Sequence, residues 1–328
     1  MEPSTLDRLL DATVIPGFTK IGYAIRKRSF GPLPAMDGKT VVISGATSGI
    51  GLAAAREFAQ LGANLVLLAR NPDKAEQVEA ELMDLGAAST TSVIGDLALM
   101  ADVRAVAERV LQTQPRIDVL VNNAGVLFTS RDETSEGIER TLAINLLGHF
   151  LLTNMLIPRL CETGTPEAPA RIVNVSSGGM YTQRIRVRDL QWTRNNEWNG
   201  SAAYARTKRG QVILTEMWDE MLGPRVAVNS MHPGWADTPG VDGSLPLFSK
   251  VIGPIMRDPA AGADTIVWLG ADPDAGAKSG EFWHDRRIRP THRSKKTVEA
   301  PEDRAVLWDS LSELSGWSRG GWSDDLCG

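Results

Sequence analysis

Cysteine is scarce in this chain, because only Cys161 and Cys327 occur among its 328 residues. Two cysteines cannot build a disulfide framework or an all-cysteine metal site, and such a low content fits a reducing compartment. The four histidines show no metal-ligand spacing and HExxH is absent, so we expect no metal site. The GxSxG motif is missing as well, which argues against a serine hydrolase.

Long hydrophobic runs are also absent. No stretch approaches the ~18 to 20 apolar residues that span a bilayer, and the N-terminus carries acidic residues where a secretion signal begins with basic ones. The chain has 35 Lys and Arg against 40 Asp and Glu, hence a net charge of −5, which does not favour nucleic-acid binding. We therefore expect a soluble, cytoplasmic protein with no nucleic-acid partner.

Residues 1–37 have a mixed character that leaves two interpretations open. Within them, residues 18–30 combine apolar positions with a cluster of Lys and Arg. This composition suits a short helix that makes peripheral contact with an anionic membrane. The alternative is a helix packed on the body of the protein or on a second subunit.

From residue 38 onwards, short apolar runs alternate with amphipathic segments. Buried strands rich in Val, Ile and Leu that alternate with such helices predict a parallel β-sheet with helices on both faces. The right-handed crossover rule makes this α/β sheet doubly wound and Rossmann-type. We expect one such domain over residues 38–285, an N-terminal extension over 1–37, and a C-terminal extension over 286–328 that contains one helix.

A glycine-rich turn follows the first predicted strand, TVVIS (40–44). Gly45 permits a tight turn, Gly49 allows the backbone to approach a pyrophosphate, and Gly51 allows the next helix to pack closely. The N-terminus of that helix offers free amides and the positive end of its dipole to phosphate. The position of the motif between a strand and a helix predicts a dinucleotide site.

The end of the second predicted strand bears on the choice of cofactor. Arg70 lies roughly 20 residues beyond Gly51, where an NAD site usually carries a carboxylate for the ribose 2′-hydroxyl. Ala69 offers no carboxylate, whereas Arg70 can pair with a 2′-phosphate. We predict NADP(H) in preference to NAD(H). The alternative is a solvated surface charge at Arg70, with Asp96 as the adenine contact.

Tyr204 and Lys208 are four residues apart and therefore share one face of a helix. A phenol with a pKa near ~10 is a poor acid–base group at neutral pH, but a neighbouring ammonium lowers that pKa. The same spacing also arises by chance between a core tyrosine and a solvated lysine. Here, polar or glycine-containing turns follow three other strands, at the sheet edge where ligands bind. They are Asn122–Gly125, Ser176–Ser177 and His232–Gly234.

The motifs SGATSGIG, NNAG, INLLGHFLLT, NVSS, YARTK and HPG, in this order, resemble those of the short-chain dehydrogenase/reductases. The resemblance implies hydride transfer between nicotinamide and a carbonyl or alcohol, with Tyr204 moving the proton and Lys208 holding the nicotinamide ribose. It implies that Ser177 hydrogen-bonds the substrate oxygen and that Asn145 keeps a water in the proton relay. The expected cofactor contacts are Gly45, Thr47, Ser48, Gly49, Ile50, Gly51, Arg70, Asp96, Leu97, Asn123, Ala124, Gly125, Tyr204, Lys208, Pro233, Gly234 and Thr238.

The resemblance also implies a homo-oligomer, paired through two long helices around 140–160 and 202–221. An insertion at about 180–201 is expected to fold outward. Met180 and the aromatic residues near the site either line a pocket for a lipophilic substrate or form an accessory core. These aromatic residues are Tyr181, Trp192, Trp198 and Trp235.

The basic segment 286–296 is either a solvated tail or a nucleic-acid contact. The alternative function of the protein is a catalytically silent dinucleotide-binding scaffold or sensor, which acts through a protein or membrane partner.

Overall fold

The computed structural model describes residues 13–194, 197–237 and 253–318, together with Cys327. Within these residues, eight strands form one sheet in the order β3-β2-β1-β4-β5-β6-β7-β8. All neighbours run parallel except β7 and β8. The Rossmann-type doubly wound α/β fold is confirmed. The strands are β1 Thr40–Ser44, β2 Asn64–Ala69, β3 Ser89–Ile94, β4 Val119–Asn122, β5 Ala170–Val175, β6 Val226–Met231, β7 Phe282–His284 and β8 Arg287–Ile288.

Helices cover both faces of the sheet. Val42 belongs to one hydrophobic cluster, while its neighbours Val41 and Ile43 belong to another, because successive side chains of a strand point to opposite faces. The helices are α1 Val14–Phe18, α2 Lys20–Lys27, α3 Gly49–Gln60, α4 Pro72–Asp84, α5 Met100–Thr113, α6 Arg140–Thr163, α7 Gly200–Leu222, α8 Pro259–Ala271, α9 Pro273–Gly276 and α10 Pro301–Ser315.

Helix α6 is long and apolar enough to cross a membrane by length and composition alone. However, 89% of its most apolar window is buried inside the protein. It packs against α5, α7 and the sheet. This burial is typical of the core helix of a layered fold, in which every face of the helix finds a protein neighbour.

The C-terminal helix α10 packs across α6 and α7. Trp308 of α10 lies edge-on to Phe150 of α6, with ring centres 5.0 Å apart, and to Trp218 of α7 at 6.4 Å. Arg304 adds an ion pair with Glu216 of α7. These are the two helices expected to pair subunits. A homo-oligomer therefore stays a prediction, and it requires a surface other than the one that α10 covers.

A disulfide joins Cys161 on α6 to Cys327, with Cα atoms 5.1 Å apart. Two cysteines exclude a framework of several disulfides but allow this single bond, which was not predicted. The two cysteines are 166 residues apart, so no local pattern indicates that they meet. The bond ties the C-terminal end of the chain to a buried helix.

The N-terminal helices pack on the body of the protein. Tyr23 and Arg26 of α2 are buried, and Arg26 donates a hydrogen bond to Asp285, just after β7, at 2.7 Å. This is the second of the two interpretations given above. Another face of α2 keeps Lys20 and Ile21 in solvent, and the Ile21 side chain is 51% exposed.

Two segments lie closer to the core than expected. The insertion does not fold outward, because its Ile185 and Val187 enter the main hydrophobic cluster. The segment 286–296 is not simply a solvated tail: Arg286 forms a bidentate pair with Asp264 of α8, and Arg289 is buried. Burial of apolar residues and pairing of charges hold both segments against the domain.

Candidate active site

The carboxyl ends of the strands border a crevice of about 790 Å³. It lies beside β1 and β4, where the strand order reverses, which is the usual ligand position in open α/β sheets. Most of the residues expected to contact the cofactor line it. They are Gly45, Thr47, Ser48, Gly49, Ile50, Gly51, Arg70, Asp96, Leu97, Asn123, Ala124, Gly125, Tyr204, Lys208 and Pro233.

The glycine loop is pressed tightly against the turn after β4. Gly45 has a φ of +68°, and a Cβ on Gly51 would lie only 2.3 Å from the Gly45 carbonyl oxygen. Asn123 closes this contact, since its Nδ2 donates to the Ser44 carbonyl at 2.9 Å and its backbone N–H donates to Ser44 Oγ at 2.9 Å. Helix α3 begins at Gly49, so its first-turn amides lie at the crevice. The cradle fits a pyrophosphate.

Ser177 and Tyr204 converge from β5 and α7. A Cβ on Gly179 would lie 3.5 Å from Ser177 Oγ and 3.9 Å from Tyr204 Cε1. Tyr204 is half-buried; desolvation raises its pKa above the usual 10, and the hydrogen bond with Ser177 opposes this only in part. The expectation of an unusually acidic phenol is therefore wrong, because desolvation outweighs any lowering of this pKa by the neighbouring ammonium. The phenol is protonated at neutral pH.

Lys208 shows why the ammonium has so little effect on the phenol. Its side chain is buried, and burial lowers its pKa to about 7. The Nζ donates to the Val175 carbonyl at 2.7 Å and to Gln211 Oε1 at 3.1 Å. It lies 5.6 Å from the centre of the Tyr204 ring. Near neutral pH the amine exchanges between charged and neutral forms, so its influence on Tyr204 grows as the pH falls.

Asn145 lies in a π-helical turn of α6, Ala143–Leu147, a feature frequent at functional sites. Its Oδ1 accepts from the Val126 N–H at 2.8 Å, and its Nδ2 donates to the Val126 carbonyl at 2.9 Å. A Cβ on Gly125 would lie 3.3 Å from Lys208 Nζ and 3.7 Å from Asn145 Oδ1. The amide is thus fixed close to the lysine, and its role in holding a water stays a prediction.

The end of the crevice next to β2 contains a cation that was not among the predicted contacts. Arg70 is 62% exposed, with a guanidinium nitrogen 3.7 Å from the Asp96 carboxylate. Lys74, in the first turn of α4, also lines the crevice. The sequence does carry a signal for Lys74, because this lysine closely follows Arg70 at the start of the helix after β2. Two cations, Arg70 and Lys74, therefore line this end of the crevice.

A buried arginine, Arg257, holds the loop after β6 and was not predicted from the sequence. Gly234 has a φ of +78°, and a Cβ there would lie 2.5 Å from Arg257 Nε. Arg257 donates to the Pro233 carbonyl at 3.2 Å and pairs with Asp285 at 2.6 Å. Its partners are distant in sequence, so no motif indicated it. Thr238, a predicted cofactor contact, lies outside the described residues.

The aromatic residues near the site favour the accessory-core interpretation. Met180 is fully buried and clusters with Val212 and Phe282. Trp192 is buried, and the guanidinium of Arg206 stacks on its ring at 3.8 Å. Packing and cation–π contacts therefore account for these two side chains without a substrate.

Comparisons with known proteins agree with this geometry. Residues 39–188 match the family model of the short chain dehydrogenases. Dehydrogenase/reductase SDR family member 12 of Bos taurus is 38% identical over 91% of this chain and 94% of its own length. Retinol dehydrogenase 14 of Mus musculus is 36% identical over 88% of this chain and 89% of its own.

A solved structure extends the comparison to a cofactor complex. The 3-ketoacyl-(acyl-carrier-protein) reductase from Brucella melitensis, complexed with NADH, is 28% identical, with a TM-score of 0.59 over 75% of this chain and 96% of that chain. Family membership supports an oxidoreductase that uses a nicotinamide cofactor and acts on a small molecule. With a relative this similar along almost its whole length, the chain belongs to the short-chain dehydrogenase/reductase family.

Proposed function

We propose that the protein is an NADP(H)-dependent oxidoreductase that transfers a hydride between nicotinamide and the carbonyl or alcohol carbon of a lipophilic small molecule. The observation that carries the proposal is the position of Tyr204 and Lys208, which line the same crevice as the glycine loop. A pyrophosphate held by the loop places the rest of a dinucleotide along the ends of the strands.

Each side chain of the site has its own role in proton transfer. A bound nicotinamide dinucleotide supplies or accepts the hydride. Tyr204 Oη donates a proton to the carbonyl oxygen during reduction and takes it back during oxidation. Because desolvation raises the pKa of Tyr204, its phenol is neutral at neutral pH and carries the proton that carbonyl reduction consumes. Ser177 orients the substrate oxygen, and Lys208, when charged, stabilises the phenolate that forms.

A panel of aldehydes, ketones and quinones of increasing chain length tests this function, with NADPH oxidation followed by its absorbance. The proposal expects turnover, faster for the long apolar members of the panel. The relatives named retinol dehydrogenases support the proposal that the substrate is lipophilic. Tight NADPH binding with no turnover across the panel would favour the silent scaffold or sensor instead. The presence of all four residues Asn145, Ser177, Tyr204 and Lys208 favours the enzyme, because a silent scaffold does not need them.

Arg70→Ala is expected to weaken NADPH binding about tenfold while NADH binding changes little. A charge-assisted hydrogen bond to a 2′-phosphate is worth about 1.5–3 kcal/mol, and we take the low end because exposure of Arg70 screens its charge. Fluorescence titration of both cofactors measures the effect. Arg56→Ala removes an exposed arginine of α3 that pairs with Glu81, so it serves as the control. Equal losses of NADPH and NADH affinity would refute the 2′-phosphate assignment.

For location, we propose a cytoplasmic protein with peripheral membrane contact through residues 18–30. The exposed side of α2 there carries Lys20, Ile21, Lys27 and Arg28, a basic and apolar combination that suits an anionic surface. We expect the protein to sediment with anionic vesicles and Ile21→Glu to remain in the supernatant. Equal sedimentation of the two proteins would show that this side of α2 is not the contact.

A further inference from the structure

A buried chain of hydrogen bonds leads from Lys208 away from the crevice. Lys208 Nζ lies 3.1 Å from Gln211 Oε1, and Gln211 Nε2 lies 3.1 Å from His149 Nδ1. His149 Nε2 is 3.2 Å from Ser44 Oγ, which in turn lies 3.3 Å from the Val121 carbonyl oxygen of β4. The side chains that link the two ends are buried, with exposures of 2% for Gln211, 2% for His149 and 0% for Ser44.

The direction of this chain follows from the ammonium at its end. An ammonium can only donate, so the Gln211 amide must present its oxygen to Lys208 and its Nε2–H to His149. His149 Nδ1 must then accept, which leaves the proton on Nε2, facing Ser44 Oγ. Ser44 Oγ also accepts from the Asn123 and Ala124 N–H groups, at 2.9 and 3.0 Å, and lies within reach of the Val121 carbonyl oxygen. The donors of Lys208 and Gln211 therefore point towards His149, and these two bonds polarise one another in the same sense.

We propose that Gln211 and His149 are positioning residues, which act through Lys208 to keep its ammonium charged and directed at the crevice. The inference rests on the proposed function, in which that charge assists Tyr204. An amide oxygen bonded to an ionised group favours the ionised form. His149 holds the amide in this orientation, because a flipped amide would place an N–H group against the ammonium and leave Nδ1 without a donor.

The groups around Lys208 are neutral, so the hydrogen bond from its ammonium to Gln211 Oε1 does not compete with a nearby charge. Burial lowers the pKa of His149 to about 3, with a smaller contribution from Lys208 and an opposing hydrogen bond with the Asn145 backbone, so the imidazole stays neutral. On its own helix Lys208 faces Tyr204, and from β5 it faces the Val175 carbonyl. Asn145 approaches from α6 as a neutral amide. Among the described residues, the titratable neighbours are thus Tyr204 and His149, both uncharged at neutral pH.

The test compares Gln211→Met, Gln211→Glu and His149→Phe in the full chain, with lysines carbon-13 labelled at Cε and the Lys208 signal assigned from Lys208→Arg. The NMR titration midpoint of Lys208 is expected to fall by about one pH unit in Gln211→Met, because a hydrogen bond to the charged form is lost. It is expected to rise in Gln211→Glu, which keeps an acceptor and adds a negative charge. His149→Phe should lower it by less than Gln211→Met.

Asn154→Leu is the matched control, since Asn154 is a buried amide of α6 that accepts from Trp218 Nε1 at 2.9 Å and lies off the chain. It should leave the Lys208 midpoint in place. A wild-type midpoint in Gln211→Met, or no rise in Gln211→Glu, would overturn the inference. The titration needs neither cofactor nor turnover, so inactivity across the carbonyl panel would refute the proposed function while leaving these shifts measurable.

Discussion

Tyr204→Phe is expected to reduce turnover about 10²–10⁴-fold, the usual contribution of a positioned proton donor. The phenyl ring keeps the packing of the half-buried side chain, and the substitution removes only the hydroxyl that shares a hydrogen bond with Ser177. NADPH affinity should therefore stay close to that of the wild type. Steady-state kinetics on the best carbonyl of the panel, combined with fluorescence titration of NADPH, separates the two effects.

Tyr23→Phe provides the control for this experiment. Tyr23 is a buried tyrosine that lies on α2 and packs beside Phe30 rather than at the crevice. Loss of its hydroxyl should leave turnover nearly unchanged. If Tyr204→Phe retained wild-type turnover, another group would have to move the proton, and the assignment of Tyr204 would be refuted.

Asp285→Asn is expected to lower the free energy of unfolding by about 3–5 kcal/mol, because removal of one partner leaves buried charges uncompensated. Asp285 accepts from Arg26 at 2.7 Å and from Arg257 at 2.6 Å, and each of these side chains is at most 2% exposed. Asparagine tolerates the φ of 52° at this position, so the backbone itself should not be strained. Urea denaturation of the two proteins measures the difference.

The matched control is Asp132→Asn, which breaks an exposed ion pair with Arg140 at 2.8 Å. Exposed pairs contribute little, so we expect stability close to that of the wild type. A similar loss of unfolding free energy in both variants would show that the buried ion pairs of Asp285 stabilise the fold no more than an exposed pair does. Because Arg257 also holds the loop after β6, Asp285→Asn should in addition weaken NADPH binding.

The same network predicts how stability depends on pH. Burial alone would raise the pKa of Asp285, but Arg257 and Arg26 outweigh burial and hold that pKa below its usual 3.8. A carboxylate with a depressed folded-state pKa stabilises the fold above its unfolded pKa and loses this effect as the pH falls through the folded value. Wild type should thus keep its advantage over Asp285→Asn down to about pH 4, and the two stabilities should approach each other below it.

The parts of the fold that sequence predicts well are those with local patterns. Strands β1 and β2 are short apolar runs, and β1 matches its predicted bounds of 40–44; a parallel sheet with helical crossovers leaves few topologies. The glycine loop was equally predictable. Gly45 and Gly51 have conformational and steric requirements that a side chain would violate.

What sequence could not predict depends on contacts between distant residues. Arg26 and Asp285 are 259 residues apart, and the packing of α10 on α6 and α7 likewise joins remote segments. The acidity of Tyr204 was misjudged for a related reason. Spacing on a helix shows that Lys208 is near, but it does not show how far the surrounding protein removes each group from water, and this desolvation determines the direction of both pKa shifts.

Transfer of deuterium from NADPH deuterated at nicotinamide C4 tests the central claim most directly, with the alcohol product analysed by mass spectrometry. The account predicts label on the carbinol carbon for the wild type and almost none in the same time for Tyr204→Phe. Wild-type protein that binds the labelled cofactor but transfers no deuterium to any carbonyl of the panel would contradict it, as would equal transfer by the two proteins.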